Sequence, residues 1–294
     1  MTPTIDRPPA RAPIRGPRSG LTTSFVWSLR YAFAIAVALI VLVPVIYAVL
    51  GGFRTTGQIA AHPVDLPQPW VFDNYSEILR SDTFWQQVGN SALIAAVTLA
   101  VVLPCASFAA FVLARFEFAG REAIYMFFAI GLLFPVAVAV LPLFITLRSV
   151  DLTNNPLGVA LPQAAFELPT AIIVLRPFFR AIPAELEEAA VIDGCGPFRF
   201  FLRIALPMSR PVLATIAVLA LVHSWNALLL PLIVLSEPDL WTLPQGATNF
   251  STQYSSDTAR VLAFTSLSMI PALLFYVIVE RQIVRGLASG AVKG

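Results

Sequence analysis

Ionisable side chains gather in one place in this sequence. Between two long apolar runs, "AIPAELEEAAVIDGCGPFRFFLRIALPMSRP" collects Glu185, Glu187, Glu188 and Asp193 with Arg199, Arg203 and Arg210. Carboxylates and guanidiniums in this number serve ion pairing and docking. Catalysis would also need a nucleophile and a base that converge. His223, Ser224 and Asp193 supply the residue types of a triad, but Asp193 lies in the polar insert and the other two lie inside an apolar run. His62 and His223 stand alone, and Cys105 and Cys195 fall in unlike segments, so neither a metal set nor a disulfide framework is indicated. The chain holds no G-x-x-x-x-G-K-[ST] loop, so it has no phosphate cradle of that kind. No enzyme is expected, and no cofactor in this chain.

The elements that must position this insert are membrane helices. The chain has 294 residues, 57% hydrophobic and 12% charged, about half the charge of a soluble domain. A net charge of +2 makes no case for nucleic acid, and no basic patch interleaves with aromatics. Six apolar runs stand out at about 26–50, 91–114, 123–147, 157–179, 212–235 and 261–279. Each matches the roughly 20 residues that span a bilayer, and backbone in lipid must be helical. The fold class expected is an all-α integral membrane protein of six transmembrane helices. Residues 1–24 read as a disordered cytoplasmic tail, 25–280 as the six-span domain and 281–294 as a C-terminal tail.

Arginine placement gives the orientation. With the N-terminus inside, inner segments hold Arg7, Arg11, Arg15, Arg18, Arg30, Arg115, Arg121, Arg176, Arg180, Arg199, Arg203, Arg210, Arg281, Arg285 and Lys293. Outer segments hold Arg54, Arg80, Arg148 and Arg260. Both termini and the insert at 180–210 are therefore expected in the cytoplasm. Within the insert, Pro183 can start a helix and Glu185, Glu187 and Glu188 suit its positive end. Gly194 can end that helix in a left-handed cap, and Pro197 can start a second. Phe198, Phe201, Leu202 and Ala205 recur at helical spacing on one face of the second helix. The expected element is a helix–turn–helix between spans four and five, either a cap on the bundle or a dock for a soluble partner.

The spacing Glu188-Ala189-Ala190, three residues, Gly194, nine residues, Ile204-x-Leu206-Pro207 resembles the cytoplasmic "EAA" motif of membrane subunits of bacterial ABC importers. "NYSEIL" before the second span, "SWNALLLPLIVLSEPDLWTLPQG" and the closing "RQIVRGLASGAVKG" are similar to segments of the smaller, maltose-type carbohydrate permeases, in the same order. On these motifs the chain is identified as a member of that permease family. The resemblance implies a second homologous permease subunit, two copies of a cytoplasmic ATPase that carry ATP and magnesium, and an extracytoplasmic sugar-binding protein. It implies that Glu188, Ala189, Ala190, Asp193, Gly194, Ile204, Leu206 and Pro207 couple to the ATPase. By the same resemblance, Gly290, Ala291, Val292, Lys293 and Gly294 reach towards it, and 236–259 faces the binding protein. The location implied is the bacterial inner membrane, multi-pass. A di- or oligosaccharide is the cargo expected, with glycerol phosphate or its diesters as the alternative.

An ion-coupled secondary transporter would need paired ionisable groups deep in the spans and often a repeat. Only Glu167 is an acid within a run, placed near its outer end, and no convincing repeat is found. Glu167 reads either as a functional intramembrane acid or as one solvated at the interface. Trp225 and Asn226 match the family's "WN" pair and read as packing and an interhelical hydrogen bond, with sugar contact as the alternative. Asn226, His223, Glu167 and Ser266 are together the candidate pathway or interhelical polar residues. His223 is expected to be a hydrogen-bonded interior histidine. Ser266 and Ser268 either line a pore or bond their own helix.

Overall fold

The computed structural model describes the backbone of residues 20–251 and 256–291, with side chains within 27–251 and 256–277. Most of the expected N-terminal tail and the Val292–Gly294 end of the closing segment lie outside the described residues. Of Gly290 and Ala291 the backbone alone is described. Among the described residues the chain is helical, without a named strand. It divides into two units, Met1–Tyr47 and Ala48–Gly294. The first unit contains most of α1 (Gly20–Gly52), an apolar helix with Pro44 inside it. Its apolar side chains from Trp27 to Val43 are exposed, as a lipid-facing helix requires.

The second unit is built on two long helices that run in the same direction, α4 (Asp82–Arg115) and α7 (Pro156–Arg180). Thr98 lies against Ala160 towards the start of α7 and Leu113 against Arg176 towards its end. Ala95, Ala106 and Ala110 of α4 and Ala160, Ala164 and Ala171 of α7 are all buried. Small residues let helix backbones approach closely, which matters where hydrocarbon offers no hydrophobic driving force. Before this pair come the short helices α2 (Thr56–Ala61) and α3 (Asp73–Arg80). Between the pair lie α5 (Arg121–Gly131) and α6 (Val136–Ser149).

Two expected spans are broken. The run at 123–147 becomes α5 and α6, bent by 100°. Pro135 offers no N–H and steers Phe134 away from helical backbone, so the helix restarts only at Val136. The run at 212–235 becomes α11 (Arg210–Asn226) and α12 (Leu229–Val234), interrupted at Ala227 and Leu228. In a continuous helix the Pro231 ring would strike the Ala227 carbonyl. Apolar periodicity does not register such a break. The described residues contain four helices long and apolar enough to cross a membrane, or six if two bent pairs each count as one span: α5 with α6, and Pro197–Met208 with Arg210–Asn226, bent by 76°.

Beyond α7 the chain forms α8 (Ala184–Ile192), α9 (Pro197–Phe200), a π turn at Phe201–Ala205 and α10 (Leu206–Met208) before α11. After α12 come α13 (Leu243–Gly246) and the last long helix, α14 (Thr258–Ala291). The segment before α13 is held by α4 side chains. Asn90 donates to the Asp239 and Trp241 carbonyls at 2.8 and 3.0 Å, and Ser91 Oγ accepts from Leu243 N at 2.9 Å. Asn154, in left-handed backbone (φ 50°), accepts from Ser236 N at 2.6 Å and so ties the α6–α7 loop to the end of α12.

Candidate functional site

The insert between α7 and α11 is rigid at its base and open at its tip. Glu185 and Glu187 occupy the first turn of α8, where negative charge suits the helix dipole. Asp193 follows the helix as its C-cap, and Gly194 has φ +72°. Gly194 N donates to Val191 O at 2.9 Å and Cys195 N to Ala190 O at 2.8 Å. This is the Schellman pairing, which a residue without Cβ adopts most cheaply. Glu188, Ala189, Asp193 and Gly194 are exposed, whereas Ala190 is buried. Val191, Ile192 and Phe198 are 64%, 86% and 63% exposed around the same turn. A Cβ added at Gly194 would meet nothing within 4 Å. The turn thus presents an unobstructed, partly apolar tip.

Its base is bolted to the bundle. Arg115, at the end of α4, donates through Nε to Glu187 Oε2 at 2.9 Å and through Nη1 to the Ile182 carbonyl at 2.9 Å, with a second contact from Nη2 to the same carboxylate. Beneath it, Phe200 and Phe201 enter a core with Phe111 and Phe179. The buried face of the second helix is therefore Phe200, Phe201 and Ala205, not the expected Phe198, Phe201, Leu202 and Ala205. Phe198 and Leu202 point outward, 63% and 45% exposed. The π turn at Phe201–Ala205 carries one extra residue, which shifts the facing that a constant helical period assumes. Ile204, Leu206 and Pro207 are half-buried where the insert turns into α11.

A second polar group lies halfway along the bundle. Glu167 Oε1 and His223 Nδ1 are 2.6 Å apart, joining α7 to α11. Glu167 follows Pro156 by eleven positions in the 25-residue α7, about 17 Å along the helix. It stands mid-helix and not near the outer end, and it has a partner. The His223 side chain is 68% exposed, so it is hydrogen-bonded but not interior. Next to the pair, Gln163 Oε1 accepts from Ser224 Oγ at 2.7 Å and Thr98 Oγ1 at 3.3 Å.

The remaining polar candidates bond their own helices. Asn226 Nδ2 donates to Val222 O, Ser266 Oγ to Leu262 O and Ser268 Oγ to Phe264 O, each at 2.8 Å. The crossing bond beside Asn226 is made by Trp225, whose Nε1 donates to Ser268 O on α14 at 3.1 Å. Sequence reading missed three groups. Arg115 and Arg176 were counted only as inner charges. Arg176 is buried, donates to Leu113 O at 3.1 Å, pairs with Glu122 and lies 4.0 Å from the Tyr125 ring centroid. Gln163 carried no signal beyond being an amide in an apolar run.

The sequence matches the family described as "Binding-protein-dependent transport system inner membrane component" over residues 102–286. It is 34% identical to the diacetylchitobiose uptake system permease protein NgcG of Streptomyces coelicolor, covering 90% of this chain and 88% of that one. It is 35% identical to the trehalose transport system permease protein SugB of Mycobacterium tuberculosis, covering 86% and 93%. Among solved structures, a bacterial ABC transporter that imports the acidic polysaccharide alginate contains a chain of the same fold. That match has a TM-score of 0.75 and 22% identity, and it covers 90% of this chain and 99% of that one.

Proposed function

The chain belongs to the binding-protein-dependent transport system inner membrane components, and on that premise we propose that it forms half of an ATP-driven pathway importing a di- or oligosaccharide. It is a multi-pass transporter subunit and not a catalytic enzyme. The cargo class is supported by relatives whose names state diacetylchitobiose, trehalose and arabinooligosaccharides. ATP hydrolysis falls to a separate cytoplasmic subunit, and a second permease completes the pathway. An extracytoplasmic binding protein meets the segment around α13, and both termini lie in the cytoplasm.

The observation that carries this reading is the insert. Its tip is exposed around Glu188, Ala189 and Gly194, while Arg115 and the phenylalanine core fix its base. A surface that is open at one end and rigid at the other can receive a partner and pass its displacement to two helices. The test is coexpression of the chain with its neighbouring permease, ATPase and binding-protein genes. The four proteins should assemble, and the ATPase should be stimulated by the sugar-loaded binding protein. Robust ATP hydrolysis by this polypeptide alone, or failure to bind an ATPase, would overturn the reading.

A further inference from the structure

We propose that Glu167 and His223 form a contact for a neutral sugar at the middle of the pathway, an inference that rests on the sugar-importer reading. The two residues border a cavity of about 280 Å³ whose lining includes Gln163, Phe166, Val136 and Leu228. Val136 opens α6 and Leu228 lies in the gap between α11 and α12, so both broken spans meet at this cavity. Breaks of this kind near the bilayer midplane are where transporters hold their cargo.

The chemistry of the lining selects the cargo. When Glu167 accepts the Nδ1–H of His223, the imidazole is left with an Nε2 lone pair. Since the His223 side chain is 68% exposed, that lone pair is open to a sugar hydroxyl. Gln163 has spent its carbonyl oxygen on Ser224 and Thr98, while its enclosed Nε2 has no partner. A buried donor in this state calls for an acceptor, and a sugar oxygen is one. Phe166 supplies an apolar surface for ring C–H groups. No Lys or Arg is among the lining residues, so an anionic cargo would meet the Glu167 carboxylate without a counter-charge. An exposed imidazole–carboxylate pair is also poorly placed against lipid, which leaves a partner subunit or an aqueous path as what it faces.

The chain has two histidines, and the side chains of His62 and His223 are 71% and 68% exposed. This allows a direct test by diethylpyrocarbonate labelling and mass spectrometry, with His62 as internal reference. The assembled importer is used, with a hydrolysis-deficient ATPase, ATP and binding protein in every arm. The probes are diacetylchitobiose, trehalose, maltose and glycerol 3-phosphate, after wild-type uptake has shown which of them is carried. The carried sugar should lower His223 labelling about fivefold or more, with His62 changed less than twofold. His223→Leu and Glu167→Gln should lower uptake about tenfold or more, the scale of a lost hydrogen bond to a charged group, with the importer still assembled by pull-down. His223→Gln, which restores an acceptor, should recover part of the loss. Equal labelling with and without the carried sugar overturns the contact alone. So does an unreactive His223 in the sugar-free importer, because a partner subunit then covers it. Uptake of glycerol 3-phosphate, or of none of the neutral probes, overturns the sugar reading itself.

Discussion

Replacing Gly194 tests whether the tip of the insert transmits motion. Its φ of +72° lies in the left-handed region, which costs an L residue about 1–2 kcal/mol and disfavours a β-branched one further. An added Cβ meets nothing within 4 Å inside this chain, so the penalty is conformational. At 1.4 kcal/mol per factor of ten, about 1–2 kcal/mol depopulates the native turn roughly 5- to 30-fold. The bundle does not depend on that turn, because the phenylalanine core and the Arg115–Glu187 pair lie beneath it. Gly194→Val should therefore leave membrane abundance near wild type while sugar uptake falls by at least that factor. A series separates backbone strain from bulk at the dock. Asn tolerates left-handed backbone better than Ala does, so strain alone predicts Asn above Ala. Bulk against a partner predicts Ala above Asn. The measurements are uptake, membrane abundance and ATPase pull-down for each variant. Wild-type uptake by Gly194→Val would refute the role given to the turn.

Four further outcomes follow from the same geometry. Ala189→Asp should block ATPase binding with normal abundance, since Ala189 is exposed, whereas Ala190→Asp should also lower abundance because Ala190 is buried; equal abundance of the two variants would contradict this. Arg115→Met should destabilise the insert by about 1–3 kcal/mol, below the 3–5 kcal/mol of a fully buried pair because Glu187 is 34% exposed. Faster proteolysis between Pro183 and Pro197 is the readout, and Glu187→Gln should do less because Arg115 keeps the Ile182 carbonyl. Gly158→Ala should lower folded yield, since the new Cβ would lie 1.9 Å from the Leu152 carbonyl and overpacking costs about 1–3 kcal/mol; Gly57→Ala, whose Cβ would meet Thr55 Oγ1 at an ordinary 3.9 Å, is the control. Single cysteines at Ser76 and Thr248, with Cys105 and Cys195 removed, should label from outside the cell with an impermeant reagent, and one at Ala189 should not.

What the sequence displayed and what it hid divide along physical lines. Caps are local, so Pro183 and Gly194 marked the limits of α8 without knowledge of its neighbours. Spans are composition, so the apolar runs were visible, but their two breaks depend on single prolines, Pro135 restricting the residue before it and Pro231 crowding the carbonyl four residues back. Facing is phase, and the π turn moved Phe198 and Leu202 outward while drawing in Phe200. Partners are tertiary. Nothing local announces that Glu167 meets His223 56 positions away, or that Arg115 meets Glu187 72 positions away. Arg176 shows the same limit, because charge counting at the bundle end could not separate a solvated arginine from one enclosed by Leu113, Glu122 and Tyr125.

The two polar sites also bear on each other through the path of the chain. Glu167 is on α7 and His223 on α11, and the insert is the covalent link between those helices. From Glu167 to the end of α7 at Arg180 is thirteen positions, about 20 Å of helix, and from the start of α11 at Arg210 to His223 is the same. A partner that displaces the Gly194 turn therefore acts on the near ends of the two helices whose middles carry the 2.6 Å contact. Close packing resists continuous deformation, so a small rotation at the insert is passed along α7 and α11 as rigid rods. Because a hydrogen bond weakens steeply once its donor and acceptor separate or misalign, a relative slide of about 1 Å is enough to remake the sugar-facing edge of the cavity. The insert and the mid-bundle pair are in this respect two ends of one mechanical element, with Arg115 and Arg176 holding its near end to α4.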